Sequence, residues 1–235
     1  MYSAPESEKI RNLFSSIAGT YDRANDVITF GMARGWRRQV VEWSGAAIGD
    51  TVLDCATGTG DLAFEFKKAV GFEGRVVGID FCAEMLNEAP KKAQRLGLPV
   101  EFQVADALEL PFRDQVFDVT SIAYGIRNVA DPAKAISEMA RVTKPGGVVM
   151  VLETGETQNP VLRSMIQLYF RHLVPRFGGW VSGNKAAYEY LNQSSSQFPC
   201  RENFVALLQK SAGFSSIEYK TLMGGASFIY RAVVA

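Results

Sequence analysis

Val52-Leu53-Asp54-Cys55-Ala56-Thr57-Gly58-Thr59-Gly60-Asp61 decides how the rest of this chain reads. Hydrophobic residues run up to Asp54 as the end of a strand, two glycines make a turn, and a helix opens at about Asp61. Glycine lets the backbone approach a ligand closely, and a helix start offers N–H groups to an anionic one. Such a turn suits either the pyrophosphate of a dinucleotide or the amino-acid end of S-adenosylmethionine. The turn alone does not choose, because Gly58-x-Gly60-x-x-Ala63 also fits the relaxed dinucleotide pattern.

Outward from this turn the chain alternates strands and helices. Strands are expected at about 51–54, 75–80, 100–104, 116–123 and 147–153, with helical stretches between them. Strands joined by helix-length crossovers give a mainly parallel sheet with helices on both faces. Lys144-Pro145-Gly146-Gly147 is a sharp stop before the Val148–Leu152 strand. Upstream, Ile10, Leu13, Phe14 and Ile17 follow helical spacing with Ser7 as cap. A loop with Gly19 and Tyr21 then leads to a second helix near Trp36–Trp43. Residues 156–200 interrupt the rhythm with a mostly helical, aromatic-rich insert. A last helix over about 201–212 ends at Gly213, and strands near Ile217–Thr221 and Ser227–Val234 can pair as a hairpin. The result is one α/β domain: a Rossmann-like, mainly parallel seven-stranded sheet with an antiparallel C-terminal edge strand. Its parts are a helical lid (1–49), a cofactor-binding core (50–155), a helical substrate insert (156–200), and a C-terminal helix and hairpin (201–235).

Composition narrows the class. Twenty-five basic and 25 acidic residues balance, so no global field points to nucleic acid. Cys55, Cys82 and Cys200 are odd in number, far apart and form no C-x-x-C pair, which suits reduced thiols. No apolar run reaches the roughly 18 residues of a membrane span, and Met-Tyr-Ser-Ala-Pro-Glu-Ser-Glu has no secretory pattern. The expectation is a cytoplasmic protein. His172 is the only histidine, and no metal site is expected around it.

The strand ends separate the two ligands. In an open α/β sheet the ligand lies across the carboxyl ends of the strands. Asp54 ends the first, followed by Thr57, Gly58, Thr59 and Gly60. Asp80 ends the second, about 20 residues past the turn, where a carboxylate accepts both hydrogens of a ribose diol. Asp106 ends the third, in Val104-Ala105-Asp106-Ala107, where a side chain reaches an adenine amino group, and the fourth closes at Ala123-Tyr124-Gly125. A dinucleotide needs only Asp80, whereas S-adenosyl-L-methionine uses all three acids. The bland alternatives are that Asp54 caps the helix and Asp106 its own turn. A parallel sheet with an antiparallel C-terminal edge is also the architecture of class I methyltransferases.

Several segments then resemble one family, the ubiquinone/menaquinone biosynthesis C-methyltransferases. Tyr21-Asp22-Arg23-Ala24-Asn25-Asp26 with Trp36 is similar to their Tyr-Asp-x-Met-Asn…Trp signature, and Gly125-Ile126-Arg127-Asn128-Val129 to their Gly-x-Arg-Asn-Val segment. Arg141 to Gly147 with Glu153, Tyr188-Glu189-Tyr190-Leu191 through Phe198-Pro199, and Gly224-Gly225 resemble further family segments. The chain departs from the pattern at Ala24, Thr29 and Ala33, which stand where methionine, serine and histidine are usual, and Ala123 stands where some relatives have serine. The resemblance implies cofactor contacts at Thr59, Asp80, Asp106, Ala107 and Ala123. It implies C-methylation of a prenylated quinol: a demethylmenaquinol, a methoxy-polyprenyl benzoquinol, or both.

For that chemistry Arg127 is the first candidate, placed to stabilise a developing phenolate or to orient a water that takes the proton. An always-charged arginine is a poor base in itself. Asn128 and Tyr188 are the other catalytic candidates, with Tyr188 or Tyr190 lining the ring pocket, and Tyr21, Asp22 and Asn25 folding over the cofactor. The plain alternatives are an Arg127–carboxylate pair and packing tyrosines. The apolar stretch Val161–Val174 reads as core packing or a homodimer face, or else as cover for a prenyl tail or a helix resting on the membrane. Rival functions are methylation of another small hydrophobic acceptor, a non-catalytic S-adenosylmethionine-binding module, and a nicotinamide-dependent oxidoreductase.

Overall fold

The computed structural model describes residues 7–160, 163, 164, 168, 190, 194, 195 and 197–235. Tyr188 and most of the 156–200 insert, His172 and the bulk of the 161–174 stretch included, lie outside the described residues. Seven strands form one sheet: β1 (Thr51–Cys55), β2 (Arg75–Asp80), β3 (Glu101–Val104), β4 (Phe117–Ala123), β5 (Thr143–Thr154), β6 (Phe214–Leu222) and β7 (Ser227–Val234). Their order is β3-β2-β1-β4-β5-β7-β6. The first five pair in parallel; β7 runs against β5, and β6 against β7, so the reversed strand sits one place in from the edge.

Alternation along each strand builds a core on both faces. Val52 joins Leu62, Phe66 and Val70 on one side, while its neighbour Leu53 joins Ile122, Ile136 and Met139 on the other. Both residues are wholly buried, and a fully buried aliphatic side chain of this size stabilises by about 1.5–3 kcal/mol. Helices α3 (Met32–Ser44) and α4 (Asp61–Val70) cover the first face; α7 (Pro132–Val142) and α8 (Glu202–Ser211) cover the second. Asp131 caps α7 by accepting the Lys134 N–H at 3.0 Å, with Pro132 as the first helical residue.

Two local features differ from the sequence reading. Helix α1 (Ser7–Ile17) is followed by a 3₁₀ turn (Ala18–Thr20) and then by a further helix, α2 (Tyr21–Ile28), where a loop is expected. Polar Asp22, Asn25 and Asp26 weaken its intrinsic signal, and tertiary bonds to the glycine turn hold it instead. The Lys144–Gly147 stop lies within β5: pairing with β4 jumps from Phe117↔Thr143 to Val119↔Val148, and the chain between bulges out. A Cβ at Gly147 would lie 2.7 Å from the Asp118 carbonyl oxygen, so this bulge has room only for glycine. Two more helices, α5 (Ala83–Leu86) and α6 (Glu88–Leu96), follow β2. No helix among the described residues is long and apolar enough to cross a membrane.

Candidate active site

The chain leaves β1 for β2 on one side and reaches β4 on the other, so the strand order reverses between β1 and β4. Connections diverging at that point leave a crevice above the two carboxyl ends. A cleft of about 1050 Å³, open solvent at its mouth included, lies there. Its wall contains Tyr21, Asp54, Thr57, Gly58, Thr59, Asp80, Asp106, Ala107, Ala123 and Asn128. Gly60 stands just behind, starting α4 with φ +87°.

The three acids are held differently. Asp54 lies opposite Ser121 in the β1–β4 register and accepts hydrogen bonds from Ser121 Oγ at 2.7 Å and Thr57 Oγ1 at 2.6 Å. Burial pushes its carboxyl up to about 6, against those two bonds and the charge of Arg37. Asp80 accepts the backbone N–H groups of Gly58 at 2.8 Å and Cys82 at 2.9 Å, tying the glycine turn to the end of β2. Its carboxyl is also pushed up to about 6 by burial, opposed by these N–H bonds. Asp106 is exposed, and its Oδ1 accepts the Leu108 N–H at 2.9 Å. It therefore caps its own turn while lining the cleft.

The floor is tightly made. Ala56 (φ 48°) and Tyr124 (φ 56°) both adopt the left-handed region at adjoining strand ends, an arrangement costing non-glycine residues of the order of 1–3 kcal/mol each. A Cβ on Gly125 would come within 2.5 Å of the Ala56 Cβ, so only glycine lets the two ends meet. Burial raises the Tyr124 hydroxyl above its ordinary range, keeping it neutral.

From the amino-terminal side, α2 closes on the turn. Asp22 accepts the Thr59 hydroxyl at 2.6 Å and Lys92 Nζ at 2.7 Å, and Lys92 also pairs with Asp61 at the start of α4. Burial raises the Tyr21 hydroxyl, against a side-chain hydrogen bond with Asn25 and the charge of Arg127. Arg127 itself does not line the cleft. In the 3₁₀ turn after β4 its Nη1 donates to Glu153 Oε1 at 2.5 Å and to the Tyr124 carbonyl at 2.9 Å, and both partners of the ion pair are buried. Asn128 does line the cleft, and its Oδ1 accepts the Tyr190 hydroxyl at 3.1 Å. Cys55 and Cys82 are buried, with burial raising the Cys82 thiol to about 11 and the Cys55 thiol well above its usual range.

Sequence reasoning misses Arg37, Phe14 and Met85, all in the wall. Helical spacing marks Phe14 as core, and nothing in Trp36-Arg37-Arg38 distinguishes the arginine facing the cleft from its exposed neighbour. The wall's chemistry favours one of the two ligands. A pyrophosphate at the glycine turn would bring two negative charges beside Asp54 and Asp80, with Arg37 as the one cation in the described wall and that already paired to Asp61. A sulfonium-bearing adenosine amino acid meets acceptors for its ribose and cationic groups, with Phe81, Met85 and Leu108 as apolar flanks.

Comparison with known proteins agrees. The chain is 53% identical, over 98% of each chain, to the ubiquinone/menaquinone biosynthesis C-methyltransferase UbiE of Bdellovibrio bacteriovorus. It is 37% identical to the demethylmenaquinone methyltransferase of Staphylococcus carnosus, over 96% of this chain and 92% of that protein. Among solved structures, a SAM-dependent methyltransferase from Aquifex aeolicus superposes with a TM-score of 0.61 at 22% identity, covering 85% of this chain and 89% of that one. A phosphoethanolamine N-methyltransferase from Haemonchus contortus matches with a TM-score of 0.61 at 18% identity, covering 85% of this chain and 52% of that one. These two likenesses show the Rossmann-like methyltransferase fold and nothing finer. The family model for the ubiE/COQ5 methyltransferase family matches residues 3–234; the chain is a member of the ubiE/COQ5 methyltransferase family.

Proposed function

We infer that this enzyme methylates a ring carbon of a prenylated quinol, with demethylmenaquinol as its first substrate and the methoxy-polyprenyl benzoquinol as its second. The observation that carries the reading is the trio of carboxylates on three successive strand ends around one glycine turn, in a chain matched along almost its whole length by the family. S-adenosyl-L-methionine, when bound, supplies the electrophilic methyl group.

The residues divide the remaining work. Asp80 accepts the ribose hydroxyls, the Asp106–Ala107 turn receives the adenine edge, and Thr57 to Thr59 border the amino-acid end. Asp54 keeps the turn in place through Thr57 and Ser121. A neutral ring carbon is a weak nucleophile, so electron density has to move from the quinol oxygen toward it. Arg127 is held behind the wall with its charge offset by Glu153, and the part it takes in this proposal is to fix the turn that carries Asn128, through the Tyr124 carbonyl, and to orient a water that takes the quinol proton. Asn128, aligned by Tyr190, offers a polar contact at the cleft surface. Tyr188 stays in the proposal as a ring-pocket residue. Helices α1 to α3 act as a cover that excludes water once the cleft is filled.

Side-by-side assays with demethylmenaquinol, the benzoquinol and an unrelated small phenol test the proposal. Methylation of a quinol with S-adenosylmethionine as donor is expected, with little on the phenol. Transfer to the phenol alone would instead support a different hydrophobic acceptor. Cytoplasmic placement with contact at the membrane surface, where prenylated quinols dissolve, and a homodimer belong to the same proposal. Co-sedimentation with liposomes and sedimentation velocity test them separately.

A further inference from the structure

We propose that Arg37 is the anchor for the carboxylate of the bound amino acid, a deepening that rests on the S-adenosylmethionine reading above. The inference starts from a charge inventory. Among the described residues lining the cleft, Asp54, Asp61, Asp80 and Asp106 are acidic and Arg37 alone is basic. Lys92 is engaged between Asp22 and Asp61, and Arg127 is buried on Glu153. The ligand carries a sulfonium, an ammonium and one carboxylate. The acids suit the first two, and the carboxylate has one cation in the wall to meet.

Position agrees with charge. Arg37 projects from α3, its side chain 11% exposed, and Nη1 lies 2.8 Å from Asp61 Oδ2 at the first residue of α4. The guanidinium thus stands beside the start of the helix that follows the glycine turn. Helix N–H groups and a planar five-donor fork together make a bidentate carboxylate cradle. The Arg37 charge also reaches Asp54, Tyr21 and Tyr124, which surround the same end of the cleft. Asp61 retains Lys92 as a partner when Arg37 turns toward a ligand.

Calorimetric titration with two ligands tests this: S-adenosylhomocysteine, which has the amino-acid end, and 5′-methylthioadenosine, which lacks it. Arg37→Ala should weaken S-adenosylhomocysteine about ten- to a hundredfold, as expected for losing a charge-assisted pair. Methylthioadenosine should bind as to the unaltered enzyme, which also shows that the variant is folded. Arg37→Lys should recover part of the loss. An equal loss for both ligands, or none for either, would overturn the assignment. If neither ligand binds the unaltered protein, it is the S-adenosylmethionine reading that fails instead.

Discussion

Arg127 and Glu153 show how a single pair links stability to chemistry. Both are buried, so removing one leaves the other uncompensated, at a cost of about 3–5 kcal/mol. Glu153→Gln should therefore lower the urea midpoint markedly. Arg127→Ala, compared at a temperature where it stays folded, should cut kcat strongly and leave S-adenosylmethionine affinity near normal; unchanged kcat would remove Arg127 from the mechanism. Protonation offers a second test at this scale. Asp54 and Asp80 are both pushed up to about 6 by burial. Ionised Asp80 is the proposed acceptor for the ligand's hydroxyls and ionised Asp54 holds the turn through Thr57 and Ser121, so binding favours the charged forms and affinity falls as pH drops through that value. Methylthioadenosine affinity should be flat above pH 7 and weaken by up to tenfold per pH unit per participating acid below about pH 6. A flat profile down to pH 5 would show that neither acid's charge supports binding. The sequence exposes these acids because each follows a hydrophobic run. It hides Arg37, whose role depends on which face of α3 meets the cleft.

At the scale of elements, α2 and the β1–β4 seam set the cleft's mouth and floor. The helix is held by Asp22 to Thr59 and Lys92, partly exposed contacts worth under about 1 kcal/mol apiece. Asp22→Ala should leave global stability almost unchanged while speeding amide exchange over residues 10–28 and weakening cofactor binding. Unaltered exchange there would argue that α2 is held by packing alone. The seam should be far less tolerant. Gly125→Ala puts a methyl against Ala56, and the overpacking should cost about 1–3 kcal/mol, read as a lower melting temperature. A wild-type melting temperature would mean the two strand ends yield easily. The strands were legible because continuous hydrophobic runs between turns leave little choice of state. Helix α2 was not, because its polar residues find partners 37 and 70 positions away in sequence. The β5 bulge looks like a stop in sequence for the same reason: only the pairing with β4 reveals that the strand begins before it.

Across the whole molecule, one sheet with a reversed strand near its edge and one reversal of strand order brings Asp54, Asp80 and Asp106 to the same rim. The order of the acids along the chain makes that rim legible in the sequence. Acceptor choice is less legible, since the aromatic insert proposed to carry it has a pattern that serves packing and a lipid tail equally well. The rim's task is to hold an adenosine sulfonium, and calorimetric titration of the purified enzyme with S-adenosylhomocysteine and with NAD addresses it directly. Saturable binding of S-adenosylhomocysteine at one site per chain and no heat from NAD are expected; binding of NAD, or no binding of S-adenosylhomocysteine, would contradict that assignment of the rim.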